Sequence, residues 1–79
     1  MKTRDAVLKR IYEVCEQKGR TIDNICLAVG MSSSNIYALI KGRSQVPKVD
    51  TVKRFCEGAE ITMKEFFAPE YFDEPYSED

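Results

Sequence analysis

The residues best suited to specific chemistry form one stretch, Gly30-Met31-Ser32-Ser33-Ser34-Asn35-Ile36-Tyr37-Ala38-Leu39-Ile40-Lys41-Gly42. Three hydroxyls, an amide, a phenol and an ammonium fall within ten positions, the inventory of a hydrogen-bonding surface rather than of a catalyst. Ile36, Leu39 and Ile40 recur at i, i+3, i+4, which predicts a short helix with one apolar stripe. Ser32 is a suitable N-cap, because a hydroxyl can accept from the backbone N–H groups that open a helix. The opposite face then carries Ser33, Ser34, Asn35, Tyr37, Ala38 and Lys41. Such a face suits either a groove of DNA or the solvent side of an ordinary bundle helix.

The surroundings of this stretch decide which chemistry is open to it. The 79 residues contain no histidine and no phosphate-cradling glycine loop, and their cysteines lack a CxxC pair. No catalytic centre, metal site, cofactor or small-molecule ligand is expected. Cys15, Cys26 and Cys56 each fall beside apolar helix positions, where a free thiol behaves as a small hydrophobe. The net charge of −1 conceals an asymmetry. Twelve bases against eight acids give residues 1–68 a net of +4, whereas the segment 69–79 holds Glu70, Asp73, Glu74, Glu78 and Asp79 and no base. Between Gly30 and Lys48 there are Lys41, Arg43 and Lys48 but no acid. A basic stretch beside polar side chains favours a polyanion. No apolar run nears the ~20 residues that span a bilayer, and the opening residues lack a signal peptide's apolar core, so the expected location is cytoplasmic.

The elements that must position the stretch are legible in the periodicity. Val7, Leu8, Ile11, Val14 and Cys15 predict a first helix from about Asp5 to Lys18, with Lys9, Arg10, Glu13, Glu16 and Gln17 facing out and Gly19 as its stop. Thr21 caps a second helix whose apolar face is Ile22, Ile25, Cys26 and Val29. The basic loop 43–48 leads to a fourth helix, about Val49 to Gly58, expected to bury Val49, Val52, Phe55 and Cys56. Thr62 and Glu65 have capping-box spacing and open a fifth helix that would bury Met63, Phe66 and Phe67, with Pro69 ending it. The aromatic acidic segment beyond has three readings: disordered, folded back through Tyr71 and Phe72, or packed across a dimer. Its charge could also shield the basic loop. The fold class is all-α: a five-helix domain over 1–68 with an acidic tail over 69–79.

Punctuated in this way, the chain resembles the lambda-repressor-like (Cro/XRE-type) helix-turn-helix family. The resemblance rests on Gly19-x-Thr21, Ile25-Cys26-x-x-Val29-Gly30-Met31-Ser32, Ile36-x-x-Leu39-x-x-Gly42, Pro47-x-Val49-Asp50-Thr51-Val52 and Ile61-Thr62-x-x-Glu65-Phe66-Phe67. It implies a sequence-specific transcriptional regulator, a repressor in type, with residues 32–41 as recognition helix in the major groove of double-stranded DNA. By the same resemblance Ser33, Ser34, Asn35, Tyr37 and Ala38 would contact bases, and Thr21, Ser32, Lys41, Arg43 and Ser44 phosphates. A homodimer through helix five and the tail is implied as well. The alternative is a protein-interaction module on the same fold, antitoxin-like or a co-regulator.

Three departures from the family's pattern bear on these expectations. Ile22 stands where relatives carry a phosphate-binding glutamine, and an exposed isoleucine there would meet a protein instead. Cys15 and Ile40 replace an ion pair with two apolar residues, expected in contact because a packed apolar pair can substitute for a buried ion pair. Glu60 stands where a glycine usually ends helix four, so either Gly58 takes the left-handed role or that helix ends differently.

Overall fold

The computed structural model describes residues 1–76; the expected acidic contributions of Glu78 and Asp79 lie outside the described residues. Five α-helices are described: α1 (Thr3–Lys18), α2 (Ile22–Ala28), α3 (Ser34–Ile40), α4 (Val49–Ala59) and α5 (Met63–Phe66), followed by a 3-10 turn, Glu70–Phe72. There is no strand among the described residues.

Local chemistry sets most of the helix ends. Gly19 adopts φ 63°, so that Arg20 N–H can return to the Cys15 carbonyl at 3.0 Å and close α1. Thr21 Oγ1 accepts from Asn24 N–H at 3.1 Å to open α2. Thr62 and Glu65 complete a reciprocal capping box on α5. Glu60, not Gly58, takes the left-handed position after α4, at φ 61° and ψ 42°. A side chain in that conformation is strained because Cβ crowds the following carbonyl.

Gly58 has a different task. It lies inside α4 where α2 crosses, and a Cβ there would collide with the Ile25 carbonyl oxygen and lie 3.0 Å from Ile25 Cγ2. Only a hydrogen permits that approach. The core gathers around it: Ile11 and Val14 of α1, Ile25 and Cys26 of α2, Ile36 of α3, Phe55 and Cys56 of α4, and Phe66 of α5, all essentially sealed from water. The thiols of Cys26 and Cys56 are buried and that of Cys15 half-buried, all three free. Burial raises the Cys56 thiol to about 11. Cys15 and Ile40 both pack against the core from its edge, and α1 and α3 are in contact.

Several expected placements are corrected. Ile22 is only 7% exposed and belongs to the core, so it is not a protein-facing isoleucine. Val49 is 73% exposed, because it opens α4 and that helix turns its stripe inward only from Thr51 and Val52. Phe67 stays partly exposed, and Met63 is partly buried. Arg10, expected to face out, lies against α5: Nε donates to the Phe66 carbonyl at 2.7 Å and a terminal nitrogen donates to the Glu65 carbonyl at 2.8 Å. Both carbonyls lie in the last turn of α5, where helical partners run out.

The segment after Pro69 folds back. Phe72 stacks near Phe66 and Phe67, with centroids at 6.0 and 4.8 Å. Tyr71 donates its hydroxyl to Glu13 Oε1 at 2.6 Å, and Lys9 Nζ sits 4.5 Å from the Tyr71 ring centre. Burial, then the Glu13 carboxylate, holds the Tyr71 phenol well above the usual tyrosine range.

Candidate nucleic-acid interface

α2 and α3 are joined by residues 29–33, a short connection that contains one glycine. Gly30 takes φ 63°, which lets Met31 N–H bond the Cys26 carbonyl at 2.9 Å and drives the Met31 side chain into the core. The serines follow at the entrance to α3. Ser32 Oγ accepts from Ser34 N–H at 3.2 Å and donates to Ser34 Oγ at 2.9 Å, which is cap chemistry. Regular α3 starts at Ser34, later than the expected Ser32, although Ser33 already has helical torsions and its carbonyl accepts from Tyr37 N–H at 3.0 Å.

Ile36 and Leu39 fix α3 inward. Arg4 of α1 reaches across 35 residues of sequence to hold its far end: Nε donates to the Leu39 carbonyl at 3.0 Å, while a terminal nitrogen pairs with Asp5 at 2.7 Å. The expected base-reading residues therefore share one short element, though unequally. Ser34 and Asn35 are exposed, whereas Ser33, Ala38 and Tyr37 are half-buried. Tyr37 leans on the core; partial burial raises its phenol above the ordinary value, and the Asp23 carboxylate adds to this by charge and a polar contact. Seven residues make only ~10 Å of helix, about two turns, so the element can present only a few side chains on one face.

After α3 the chain reverses at Gly42, φ 77°, with Arg43 and Ser44 N–H groups both returning to the Ala38 carbonyl at 2.9 and 3.1 Å. Gln45 Nε2 donates to the Gly42 carbonyl at 2.9 Å and shapes the loop. Lys41 and Arg43 are exposed and Ser44 is half-buried beside them; Thr21 and Ser32 are exposed at the helix openings.

The arginines divide by use. Arg4, Arg10, Arg20 and Arg54 each donate to a backbone carbonyl near a helix C-terminus, those of Leu39, Phe66, Gly58 and Val29. Among the described residues Lys41, Arg43 and Lys48 make no ion pair. Arg4, Arg10, Arg20 and Arg54 are thus committed to the fold, whereas Lys41, Arg43 and Lys48 carry no such bond among the described residues.

Two features escape a reading of the sequence. Arg4 and Gln45 position α3 and its loop through contacts that no local pattern announces. Leu27, 77% exposed, stands on the outer face of α2; its one trace in the sequence is an apolar residue out of phase with Ile22, Ile25, Cys26 and Val29. No helix among the described residues is long and apolar enough to cross a membrane.

With this geometry in place, the chain is similar to one solved structure, described as the crystal structure of the prophage Lp1 protein 11. The two share 28% sequence identity with a TM-score of 0.79, over 95% of this chain and 100% of the other. No family model matches the chain, and no curated protein matches it.

Proposed function

We propose that the protein is a regulator of the helix-turn-helix type that binds duplex DNA and represses by occupying an operator, with α3 laid in the major groove. The observation that carries this reading is the pairing of a short, small-residue polar face on α3 with the uncompensated cations Lys41, Arg43 and Lys48 after it. Ser34 and Asn35 would read base edges, with Ser33, Ala38 and the Tyr37 ring at the margin; amide and hydroxyl groups match donors and acceptors there, and Ala38 suits a thymine methyl. Thr21, Ser32, Lys41, Arg43 and Ser44 would contact phosphates and set register. The likeness to a prophage protein supports a phage-type regulator. A two-turn reader makes few base contacts, so a second copy would raise affinity by engaging a second half-site. With Tyr71 and Phe72 folded onto their own chain, exposed Val49 and Phe67, which border one crevice with Met63 of α5, offer a surface to such a copy.

A second reading, a protein-interaction module, is favoured by Leu27 alone, an isolated exposed leucine on α2. Anisotropy of a labelled mixed-sequence duplex, titrated with protein over a range of salt, separates the two. Binding should weaken steeply with salt, and Lys41→Ala or Arg43→Ala should each reduce the log–log slope by about 1. Absence of binding at low salt would refute the DNA reading.

A further inference from the structure

The two halves of the proposed interface join at the C-terminal end of α3, and the orientation of that junction depends on a residue outside both. Beyond Tyr37 the bonds that shape the chain are mostly its own. Lys41 N–H returns to the Tyr37 carbonyl at 2.9 Å, the Ala38 carbonyl accepts from Arg43 and Ser44, and Gln45 closes on Gly42. Such bonds hold the helix end and the loop to each other, but they turn with that unit as a body. Leu39 is buried and Ile40 packs on the edge of the core, and burial of this kind is non-directional. Among the described residues one side-chain hydrogen bond reaches 38–48 from another element: Arg4 Nε donates to the Leu39 carbonyl at 3.0 Å. The same carbonyl accepts from Gly42 N–H at 3.2 Å, the bond at which α3 gives way to the loop. The guanidinium is itself fixed, since Nη1 meets Asp5 Oδ1 at 2.7 Å in the first turn of α1 and the side chain is only 20% exposed. A planar fork held at two points gives a direction as well as an attachment.

We infer that Arg4 is a positioning residue for DNA: it fixes the angle of the α3 end against α1, so that Ser34 and Asn35 meet base edges while Lys41 and Arg43 meet phosphates. The inference rests on the DNA reading above and adds to it a residue that itself touches no DNA. Phosphate contacts set register and base contacts specify, so one placement of α3 and its loop must satisfy both. Released from Arg4, the unit keeps its own bonds and its cations. Attraction to phosphates then survives, and the simultaneous fit to bases is lost. Mixed-sequence DNA, bound mainly through phosphates, should feel the change little, and a site held by base contacts as well should feel it most.

The test first selects from a random pool the duplex that the wild-type chain binds best. Affinity for that duplex and for a mixed-sequence duplex is then measured across a range of salt with the wild type, Arg4→Ala and Arg4→Lys. Thermal melts establish that each is folded; should Arg4→Ala not fold, Arg4→Lys carries the comparison. Arg4→Lys keeps the charge but not the fork. Both variants should bind the selected duplex about tenfold more weakly, the order of one mismatched base pair, and the mixed duplex nearly as the wild type does. Their salt slopes should be those of the wild type. A slope reduced by about 1 in Arg4→Ala makes Arg4 a phosphate contact and overturns the positioning role. Wild-type affinity of Arg4→Lys for the selected duplex overturns it too, since charge alone would then suffice. An equal loss on both duplexes reduces Arg4 to general support of the fold and likewise overturns it. Duplex binding without any preferred sequence leaves the DNA reading intact and overturns the inference, because there is then no base fit to position. No binding by the wild type at low salt overturns the DNA reading and the inference with it.

Discussion

Replacing Gly58 by alanine isolates the closest helix–helix approach in the molecule. In an exposed helix interior this change stabilises by roughly 0.8–1 kcal/mol, since glycine is the poorer helix former. Here the new methyl would overlap the Ile25 carbonyl oxygen and press on Ile25 Cγ2 at 3.0 Å. The oxygen is backbone and cannot rotate away as a side-chain tip could, so α2 and α4 must part. Overpacking of this kind costs about 1–3 kcal/mol. Parting the helices also strains the bond by which Arg20 donates to the Gly58 carbonyl at 2.7 Å, and such charge-assisted bonds contribute about 1.5–3 kcal/mol. Set against the gain in propensity, the net loss should be about 2 kcal/mol. With an m-value of roughly 1 kcal/mol/M for a small domain, the urea midpoint should fall by about 2 M. Gly19→Ala is the contrast: its methyl would meet nothing within 4 Å, and only the positive φ of 63° would cost. Circular dichroism during urea titration measures both. An unchanged or raised midpoint for Gly58→Ala would show that the helices do not pack as described.

Other consequences follow from single sites. Glu60→Gly relieves a left-handed side-chain conformation and should stabilise by up to about 1 kcal/mol, the strain of ~1–2 kcal/mol being partly offset by glycine's unfolded-state entropy; a lower melting temperature would contradict this. The Tyr71 phenol is raised in the folded state by burial and by Glu13, so its stabilising contribution is complete below the ordinary phenol value of 10.0 and is lost as pH rises through the folded value. Tyr71→Phe should therefore lose stability at neutral pH and show a shallower alkaline decline, read from melts at rising pH; an unchanged alkaline slope would remove Tyr71 as its source. With Cys26 and Cys56 buried, a thiol reagent should reach Cys15 first in native protein and all three thiols after denaturation; rapid labelling of all three in the native state would contradict the core.

The parts of this molecule that can be read from its sequence are those whose causes are local. Gly19, Thr21 and the Thr62–Glu65 pair mark helix ends because the groups they satisfy lie within a turn of them. The stripe Ile36, Leu39, Ile40 places α3 and thereby the face that carries Ser34 and Asn35. What the pattern misses depends on distant partners. Arg10 looks like a solvated charge until α5 presents its carbonyls, and Arg4 until α3 does. Val49 has the right residue type for the core but sits before α4 turns inward. Glu60 adopts a conformation that local preference assigns to glycine, while Gly58 is reserved for the α2 crossing. The fold-back of Tyr71 and Phe72 depends on Glu13, 58 residues away from Tyr71, and on the Phe66–Phe67 surface, neither of which the local pattern of the tail shows.

The central claim, that α3 and the loop after it form a DNA interface, is tested most directly by residue-resolved amide NMR. Labelled protein is titrated with a mixed-sequence duplex at low salt, and each amide is followed. The perturbed amides should cluster at Thr21, at Ser32 to Ala38 and at Lys41 to Ser44, and added salt should reverse the shifts. Perturbation centred instead on Leu27 and the outer face of α2, or no perturbation at low salt, would contradict it.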